Sequence, residues 1–189
     1  MVSQPLHVLF LSTANTARSL MSEVVLRDLA GGRARCFSAG TTPVGTICPE
    51  VEKFLSKKGY ETAGLFSKTL QLFLEDGAPH IDLVVTVSAR DERMPVLGPL
   101  GALRVHWEMP SIIDISSSAE RKSAVKASYK ALEDCIFQVL QPSWEGLTVR
   151  EVQKLFERVQ PKILSPIPNN TTIPESLLFE LGAATTAYA

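Results

Sequence analysis

Short apolar runs alternate with segments of helical periodicity along the first 141 residues of the chain. Apolar runs bounded by turn residues predict buried strands, and apolar residues three or four positions apart predict helices. The predicted strands lie at 6–11, 35–38, 82–87 and 103–107. The predicted helices lie at 20–29, 49–58 and 119–141, with a shorter helical turn at 70–75. This alternation predicts an α/β fold, a doubly wound four-stranded parallel sheet flanked by helices.

The pattern changes after the longest predicted helix. One more amphipathic helix is predicted at about 148–159, and the proline-rich remainder at 161–189 is predicted to be largely unordered. We therefore divide the chain into a domain at 1–142 and a C-terminal extension at 143–189. The apolar segment at 177–181 predicts a docking contact, either on its own domain or on another subunit of a homo-oligomer.

The first strand runs directly into a small polar loop, Ser12 to Ser19, which we call the anion loop. Its short side chains let consecutive backbone N–H groups turn inward, and the helix that opens near Arg18 adds the positive end of its dipole. Arg18 offers a bidentate donor fork, while Asn15 and Ser19 are expected to hold the loop through local hydrogen bonds. We predict that the loop binds a phosphate, arsenate or sulfate-like anion. The predicted lining residues are Thr13, Ala14, Asn15, Thr16, Ala17, Arg18 and Ser19. The alternative is an ordinary strand-to-helix turn with a serine N-cap.

Ser12, followed by five residues and then by Arg18 and Ser19, resembles the Cys-x5-Arg-Ser loop of a known superfamily. This superfamily contains the low-molecular-weight protein tyrosine phosphatases and the thioredoxin-coupled arsenate reductases. The resemblance covers roughly residues 6–141 and is closer to the arsenate reductase branch. It continues in order through Phe37-Ser-Ala-Gly40, Ser67-Lys68, Asp82-Leu-Val-Val-Thr-Val-Ser88 and His106-Trp107 with Pro110. It implies the low-molecular-weight phosphatase-like fold.

The chain departs from this pattern where the superfamily does its chemistry. The resemblance places the attacking thiolate at Ser12, a second redox cysteine at Ser88 and a third at about Met94. It places the general acid of the phosphatases at Ser111, and Asp114 follows three residues later. No cysteine relay remains at these positions, so we expect no arsenate reduction through them.

A serine hydroxyl is a poor replacement for the missing thiol. A loop rich in N–H donors can lower the pKa of a cysteine well below about 8.5, whereas serine needs an adjacent general base to become a nucleophile. The loop and its flanks offer no such base. We therefore predict a degenerate, catalytically silent protein that keeps an oxyanion-binding loop, with Ser12 and Arg18 at the catalytic positions. One alternative is a phosphatase or reductase that uses Ser12 or carries it as an introduced change from cysteine. A second alternative is an interaction protein that uses its C-terminal extension.

Composition adds limits on partners and cofactors. The chain of 189 residues has a formal net charge of -1 and scattered basic residues, so we expect no nucleic-acid partner. The apolar run after the first residues is too short for a signal or membrane segment, so we expect a cytoplasmic protein and no membrane partner. Cys36, Cys48 and Cys135 lack metal-type spacing, and His7 and His80 are isolated. We expect free thiols, no metal and no cofactor.

Three features have two interpretations each. Cys48 precedes Pro49 at a predicted helix start, where the dipole would lower its pKa, but we favour a structural role. His106 beside Trp107 suggests catalysis, but we favour packing at a strand end. The charged residues at 90–93 suggest the rim of the anion site, but we favour a solvated loop.

Overall fold

Four parallel strands form one sheet in the order β2-β1-β3-β4. The computed structural model describes residues 5–88, 99 and 101–163. The strands are β1 (Leu6–Ser12), β2 (Ala34–Gly40), β3 (Leu83–Thr86) and β4 (Leu103–His106). The helices are α1 (Arg18–Leu29), α2 (Pro49–Lys57), α3 (Ser118–Leu140) and α4 (Val149–Glu157), with a 3-10 helix at Leu70–Phe73.

The central strand β1 is apolar because it is covered on both faces. Successive side chains of a strand point to opposite faces of the sheet. Val8 and Phe10 belong to the larger core, which includes residues of α1, α2 and α3. Leu9 and Leu11 belong to a second core beneath the 3-10 helix. The continuous apolar run therefore reflects burial between two layers.

The strand order places the end of β1 where a ligand is expected. β1 pairs with β2 on one side and with β3 on the other, and all of these pairings are parallel. Connections from neighbouring strands therefore leave the sheet in opposite directions beside β1. Ligands of open α/β sheets bind at this kind of switch point, outside the carboxyl ends of the strands. The anion loop begins there, at Ser12.

Helix α4 covers the edge strand β4. Gln153 Nε2 donates to the Arg104 carbonyl at 3.0 Å, and Trp107 Nε1 donates to the Phe156 carbonyl at 3.0 Å. The Trp107 and Phe156 rings stack with centroids 5.5 Å apart, and Trp144 packs against Phe156. An exposed edge strand invites pairing with other chains, and this helix protects it.

The predicted fold class and the predicted strands and helices are confirmed. α1 begins at Arg18 rather than at residue 20, and α4 spans Val149–Glu157 rather than about 148–159. Residues 164–189, including the apolar segment at 177–181, lie outside the described residues. The division of the chain after residue 142 therefore stays a prediction, as does docking through the tail. Of the helices in the described ranges, none is long and apolar enough to cross a membrane.

Candidate oxyanion site

The anion loop joins the end of β1 to the start of α1 without a serine cap. The N-cap residue of α1 is Ala17, with φ of -142° and ψ of -86°, and no side chain caps the helix. The alternative of a turn with a serine N-cap is therefore wrong. The first turn of a helix carries N–H groups without intrahelical acceptors, and a capping side chain would normally satisfy one of them.

Carbonyl groups of the anion loop accept hydrogen bonds from a neighbouring segment of the chain. The segment that follows β2 donates four backbone bonds to them. These are Thr41 N to Ser12 O (3.1 Å), Thr42 N to Thr13 O (2.9 Å), Val44 N to Ala14 O (3.4 Å) and Cys48 N to Thr16 O (2.9 Å). In a trans peptide the next N–H points opposite to the carbonyl. The N–H groups of residues 13, 14, 15 and 17 therefore point away from this segment.

Four of the loop N–H groups have no acceptor in the described part of the chain. They belong to Ala14, Thr16, Ala17 and Ser19. Thr16 is 7% exposed and Ala17 is 3% exposed. Buried backbone N–H groups are nearly always hydrogen-bonded, so such a cluster is typical of a site that receives an external acceptor.

Asn15 organises the loop from within. Its φ is 49°, a left-handed conformation that asparagine tolerates better than most residues. Its backbone N–H donates to Ser12 Oγ at 3.1 Å, and its Nδ2 donates to Ser19 Oγ at 2.9 Å. Ser12 Oγ and Ser19 Oγ are 2.8 Å apart and share a hydrogen bond. The local hydrogen bonds expected of Asn15 and Ser19 are therefore present.

Gly40, at the end of β2, allows the loop to lie close to the sheet. A Cβ atom at Gly40 would lie 2.8 Å from the Thr13 carbonyl oxygen and 3.1 Å from the Asn15 Cβ. Both distances are shorter than ordinary van der Waals contacts. In the sequence, Gly40 stands out only as part of the motif Phe37-Ser-Ala-Gly40 that resembles the superfamily. Its close approach to the anion loop joins two segments that are distant in sequence, and such a contact leaves no local pattern.

Ser67 and Lys68 support the loop from a third segment. Ser67 Oγ donates to the Ala14 carbonyl at 3.1 Å, and the Lys68 N–H donates to Asn15 Oδ1 at 2.7 Å. Lys68 Nζ forms a largely buried ion pair with Glu23 Oε2 at 3.2 Å. The sequence alone did not assign Ser67 and Lys68 a role in the loop. Their spacing from the loop in sequence offers no signal that they meet it.

Arg18 lies at the first position of α1 and reaches across the carboxyl edge of the sheet. Its Nη1 donates to the Met109 carbonyl at 2.6 Å. This bond ties the anion loop to the segment that follows β4. The guanidinium has five N–H donors, so it can contact more than one acceptor. Contact between Arg18 and an anion stays a prediction.

The surroundings of Ser12 do not resemble those of an activated nucleophile. Ser12 is 4% exposed, and its Oγ contacts the Asn15 N–H and Ser19 Oγ. No carboxylate, imidazole or amine of a described residue forms a hydrogen bond with it. Ser88 is buried just after β3, and Asp114 is exposed. Met94 and the charged residues at 90–93 lie outside the described residues.

The three cysteines are buried thiols rather than reactive ones. Burial raises the pKa of Cys36 to about 12 and that of Cys135 to about 11. Burial also raises the pKa of Cys48, and its hydrogen bond to Glu50 Oε2 at 3.3 Å adds to the effect. The suggestion that the helix dipole lowers the pKa of Cys48 is therefore wrong. Within the described ranges, no group of histidine, cysteine or acidic residues is arranged to hold a metal ion.

His106 is held as part of the strand end. Its Nδ1 shares a hydrogen bond with Thr86 Oγ1 at 2.7 Å, and its carbonyl accepts from Gln160 Nε2 at 2.9 Å. The neighbouring Trp107 is fully buried. These contacts favour the packing interpretation over a catalytic one.

Comparisons with known proteins agree with this architecture. The model of the low molecular weight phosphotyrosine protein phosphatase family matches residues 7–101. No curated protein matches the chain in sequence. The tyrosine phosphatase Wzb from Escherichia coli K30 in complex with sulphate is similar in structure, with a TM-score of 0.57 and 20% identity over 79% of this chain and 97% of Wzb. Wzb in complex with phosphate gives a TM-score of 0.57 and 19% identity over 71% of this chain and 90% of Wzb.

An arsenate reductase is also among the similar structures. The thioredoxin-dependent arsenate reductase of Corynebacterium glutamicum is 23% identical over 72% of this chain, with a TM-score of 0.49. The chain spans 64% of the length of that reductase.

Proposed function

The chain belongs to the low molecular weight phosphotyrosine protein phosphatase family, and from that premise we propose that it binds a tetrahedral oxyanion without turning it over. The ligand is phosphate, arsenate, sulfate or a phosphorylated molecule. The binding site is the anion loop. The cytoplasmic location expected from the sequence belongs to the same proposal, and the three free cysteines support it.

The set of N–H groups in the loop is the observation that carries the binding proposal. Four loop carbonyls accept hydrogen bonds from the segment that follows β2, and four loop N–H groups lack an acceptor in the described residues. These donors sit at the start of α1, where the helix dipole also favours negative charge. The sulphate and phosphate complexes of Wzb agree with an oxyanion as the ligand of this fold.

The lack of turnover follows from the chemistry of Ser12. Its hydroxyl has no adjacent base to remove the proton, and an unassisted serine is a weak nucleophile. Arsenate reduction of the thiol type also needs sulfur to carry electrons, and Ser12 and Ser88 have none. The buried thiols of Cys36 and Cys135 have strongly raised pKa values and are unsuited to replace it.

Calorimetric titration of the full chain with inorganic phosphate tests the binding proposal. We expect saturable binding, weakened about ten- to a hundredfold in Arg18→Ala, since a charge-assisted bidentate contact contributes about 1.5–3 kcal/mol. Arg35→Ala is the matched control, because Arg35 is exposed near the opposite end of β2 and its loss changes the net charge equally. Absence of binding, or equal binding by both variants, would count against the proposal.

Turnover assays test separately whether the protein lacks catalytic activity. Hydrolysis of an aryl phosphate and reduction of arsenate with thioredoxin are both expected at background level. Ser12→Cys is expected to restore hydrolysis only in part, because Ser111 cannot protonate a leaving group as a carboxylic acid does. Substantial turnover by the natural chain, lost in Ser12→Ala, would show that the protein is an enzyme.

A further inference from the structure

The hydrogen bonds of Asn15 fix the orientation of its amide. The backbone N–H of Lys68 can only donate, so the Asn15 atom that faces it at 2.7 Å is the carbonyl oxygen Oδ1. The amide nitrogen Nδ2 therefore faces Ser19 Oγ, which is 2.9 Å away, and donates to it. Ser19 Oγ is thus an acceptor toward Asn15.

The direction of the bond between the two serines follows. Ser12 Oγ and Ser19 Oγ are 2.8 Å apart, so one hydroxyl donates to the other. If Ser12 donated, the Ser19 proton would have no acceptor among the described residues, in a side chain that is 0% exposed. Either direction leaves one hydroxyl proton without an acceptor among the described residues, and a buried donor without an acceptor is costly. Ser19 is sealed in α1, whereas Ser12 is 4% exposed and begins the loop whose N–H groups lack acceptors, so an anion bound there can accept the proton of Ser12 but not that of Ser19. Ser19 therefore donates to Ser12.

Ser12 is left with a proton to donate. Its Oγ accepts from Ser19 and from the Asn15 N–H, and the two bonds occupy both lone pairs of the hydroxyl. Its own proton has no acceptor in the described part of the chain. Two donors into one hydroxyl also polarise it and strengthen the bond that it donates. An anion held by the loop N–H groups is an acceptor that fits this proton.

We propose that Ser12 is a specificity-determining residue, whose hydroxyl donates to the bound oxyanion and makes the anion loop selective for dianions. This inference rests on the proposed oxyanion binding. A neutral donor adds attraction to a doubly charged ligand. A thiolate at the same position would face that ligand with a negative charge and repel it. The ligand class is therefore a tetrahedral dianion such as hydrogen phosphate, hydrogen arsenate or sulfate.

Calorimetric titration with sulfate and with inorganic phosphate between mildly acidic and mildly alkaline pH tests this assignment. Sulfate stays doubly charged over this interval, whereas phosphate gains its second charge near neutral pH. The natural chain is expected to bind sulfate with little dependence on pH and to bind phosphate more tightly as pH rises. Ser12→Ala is expected to weaken sulfate binding by roughly tenfold or more, because a donor to a charged group is lost. Ser12→Thr keeps the hydroxyl and is expected to retain binding within a few-fold.

Two further variants extend the test. Ser12→Cys tests the effect of charge at position 12, and Ser19→Ala tests the direction of the hydrogen bond between Ser12 and Ser19. Ser12→Cys is expected to lose sulfate affinity as pH rises, because a thiolate forms beside the dianion. Ser19→Ala is expected to weaken sulfate binding by a few-fold, because Ser12 loses one of the two donors that polarise its hydroxyl. If Ser12 instead donated to Ser19, removing Ser19 would free the Ser12 proton and tighten binding.

The outcomes separate this inference from the proposed function. Equal sulfate affinity of the natural chain and Ser12→Ala, or tighter binding by Ser19→Ala, would overturn the role of Ser12 while leaving oxyanion binding intact. No binding of either anion by the natural chain would overturn both. Thermal midpoints measured without anion identify any variant that has lost its fold. If Ser12→Ala is such a variant, the pH dependence of sulfate binding by Ser12→Cys replaces it in the test.

Discussion

The backbone N–H of Lys68 donates to Asn15 Oδ1 at 2.7 Å, across 53 positions of sequence. This bond joins the segment before the 3-10 helix to the one residue of the anion loop that has a left-handed backbone. It sets the orientation of the Asn15 amide and, through it, the direction of the hydrogen bonds to Ser19. A backbone group far from the loop in sequence thus determines how the loop presents its donors.

Replacing Asn15 is expected to weaken both the fold and anion binding. Asn15→Ala removes the bonds to Ser19 and Lys68 and places alanine at a φ of 49°, for an expected loss of about 2–4 kcal/mol in the free energy of unfolding. Asn15→Gly is the matched variant, because glycine tolerates this φ and lacks only the side-chain bonds. Urea unfolding of the three proteins measures the difference. Equal stability of the alanine and glycine variants would show that the left-handed conformation costs nothing here.

Adding a methyl group at Gly40 is expected to push the anion loop away from β2. The new Cβ would lie 2.8 Å from the Thr13 carbonyl oxygen, and overpacking of this kind costs about 1–3 kcal/mol. Gly40→Ala should therefore lower the free energy of unfolding and weaken phosphate binding. Gly64→Ala is the control, since a Cβ at Gly64 meets nothing within 4 Å and its φ is not positive. Urea unfolding and phosphate titration of both variants provide the measurement, and normal phosphate affinity in Gly40→Ala would show that the loop tolerates the methyl group.

Stability is expected to fall in acid through the carboxylate of Glu50. Burial raises the pKa of Glu50, but hydrogen bonds from its own backbone N–H, Ser118, Cys48 and Arg121 outweigh burial and lower the pKa from 4.5 to about 2. A carboxylate with a lowered pKa in the folded state stabilises the fold above its unfolded pKa, and this stability is lost as pH falls. The contribution of Glu50 should therefore disappear between about pH 5 and pH 2.

The thermal midpoint of Glu50→Gln measures this contribution. Above pH 5, this variant should unfold at a lower temperature than the natural chain, and the difference should shrink as pH falls. Glu52→Gln, on the exposed side of the same helix, is the matched control and should follow the natural chain. A difference that stays constant with pH would show that Glu50 acts through packing rather than through its charge.

Removing the Phe156 ring is expected to destabilise the whole domain, not only α4. The ring is fully buried, stacks on Trp107 and contacts Trp144. Phe156→Ala should cost about 3–5 kcal/mol, the usual range for deleting a buried aromatic ring. Phe137→Ala is the control, because Phe137 is 59% exposed on α3. One cooperative transition by circular dichroism and Trp fluorescence, shifted only in the Phe156 variant, is expected. A separate early transition of α4 would instead show that the helix folds independently.

The sequence by itself determined the sheet, its flanking helices and the position of the anion loop. Local patterns carry this information: apolar runs such as that of β1 mark strands buried on two faces, and helical spacing marks α1 to α4. The loss of sulfur at Ser12 and Ser88 is likewise visible in the chain alone. The proposal that the protein is catalytically silent therefore began from the sequence.

Only the tertiary structure decided how the loop is held and which way its donors point. Gly40, Ser67 and Lys68 reach the loop from segments that are distant in sequence, and no local pattern records such contacts. The pKa of Cys48 also depended on tertiary surroundings, because burial outweighs the effect of the helix start that the sequence suggested. Hydrogen-bond direction and desolvation are properties of packed groups, so they become determined only when the chain has folded.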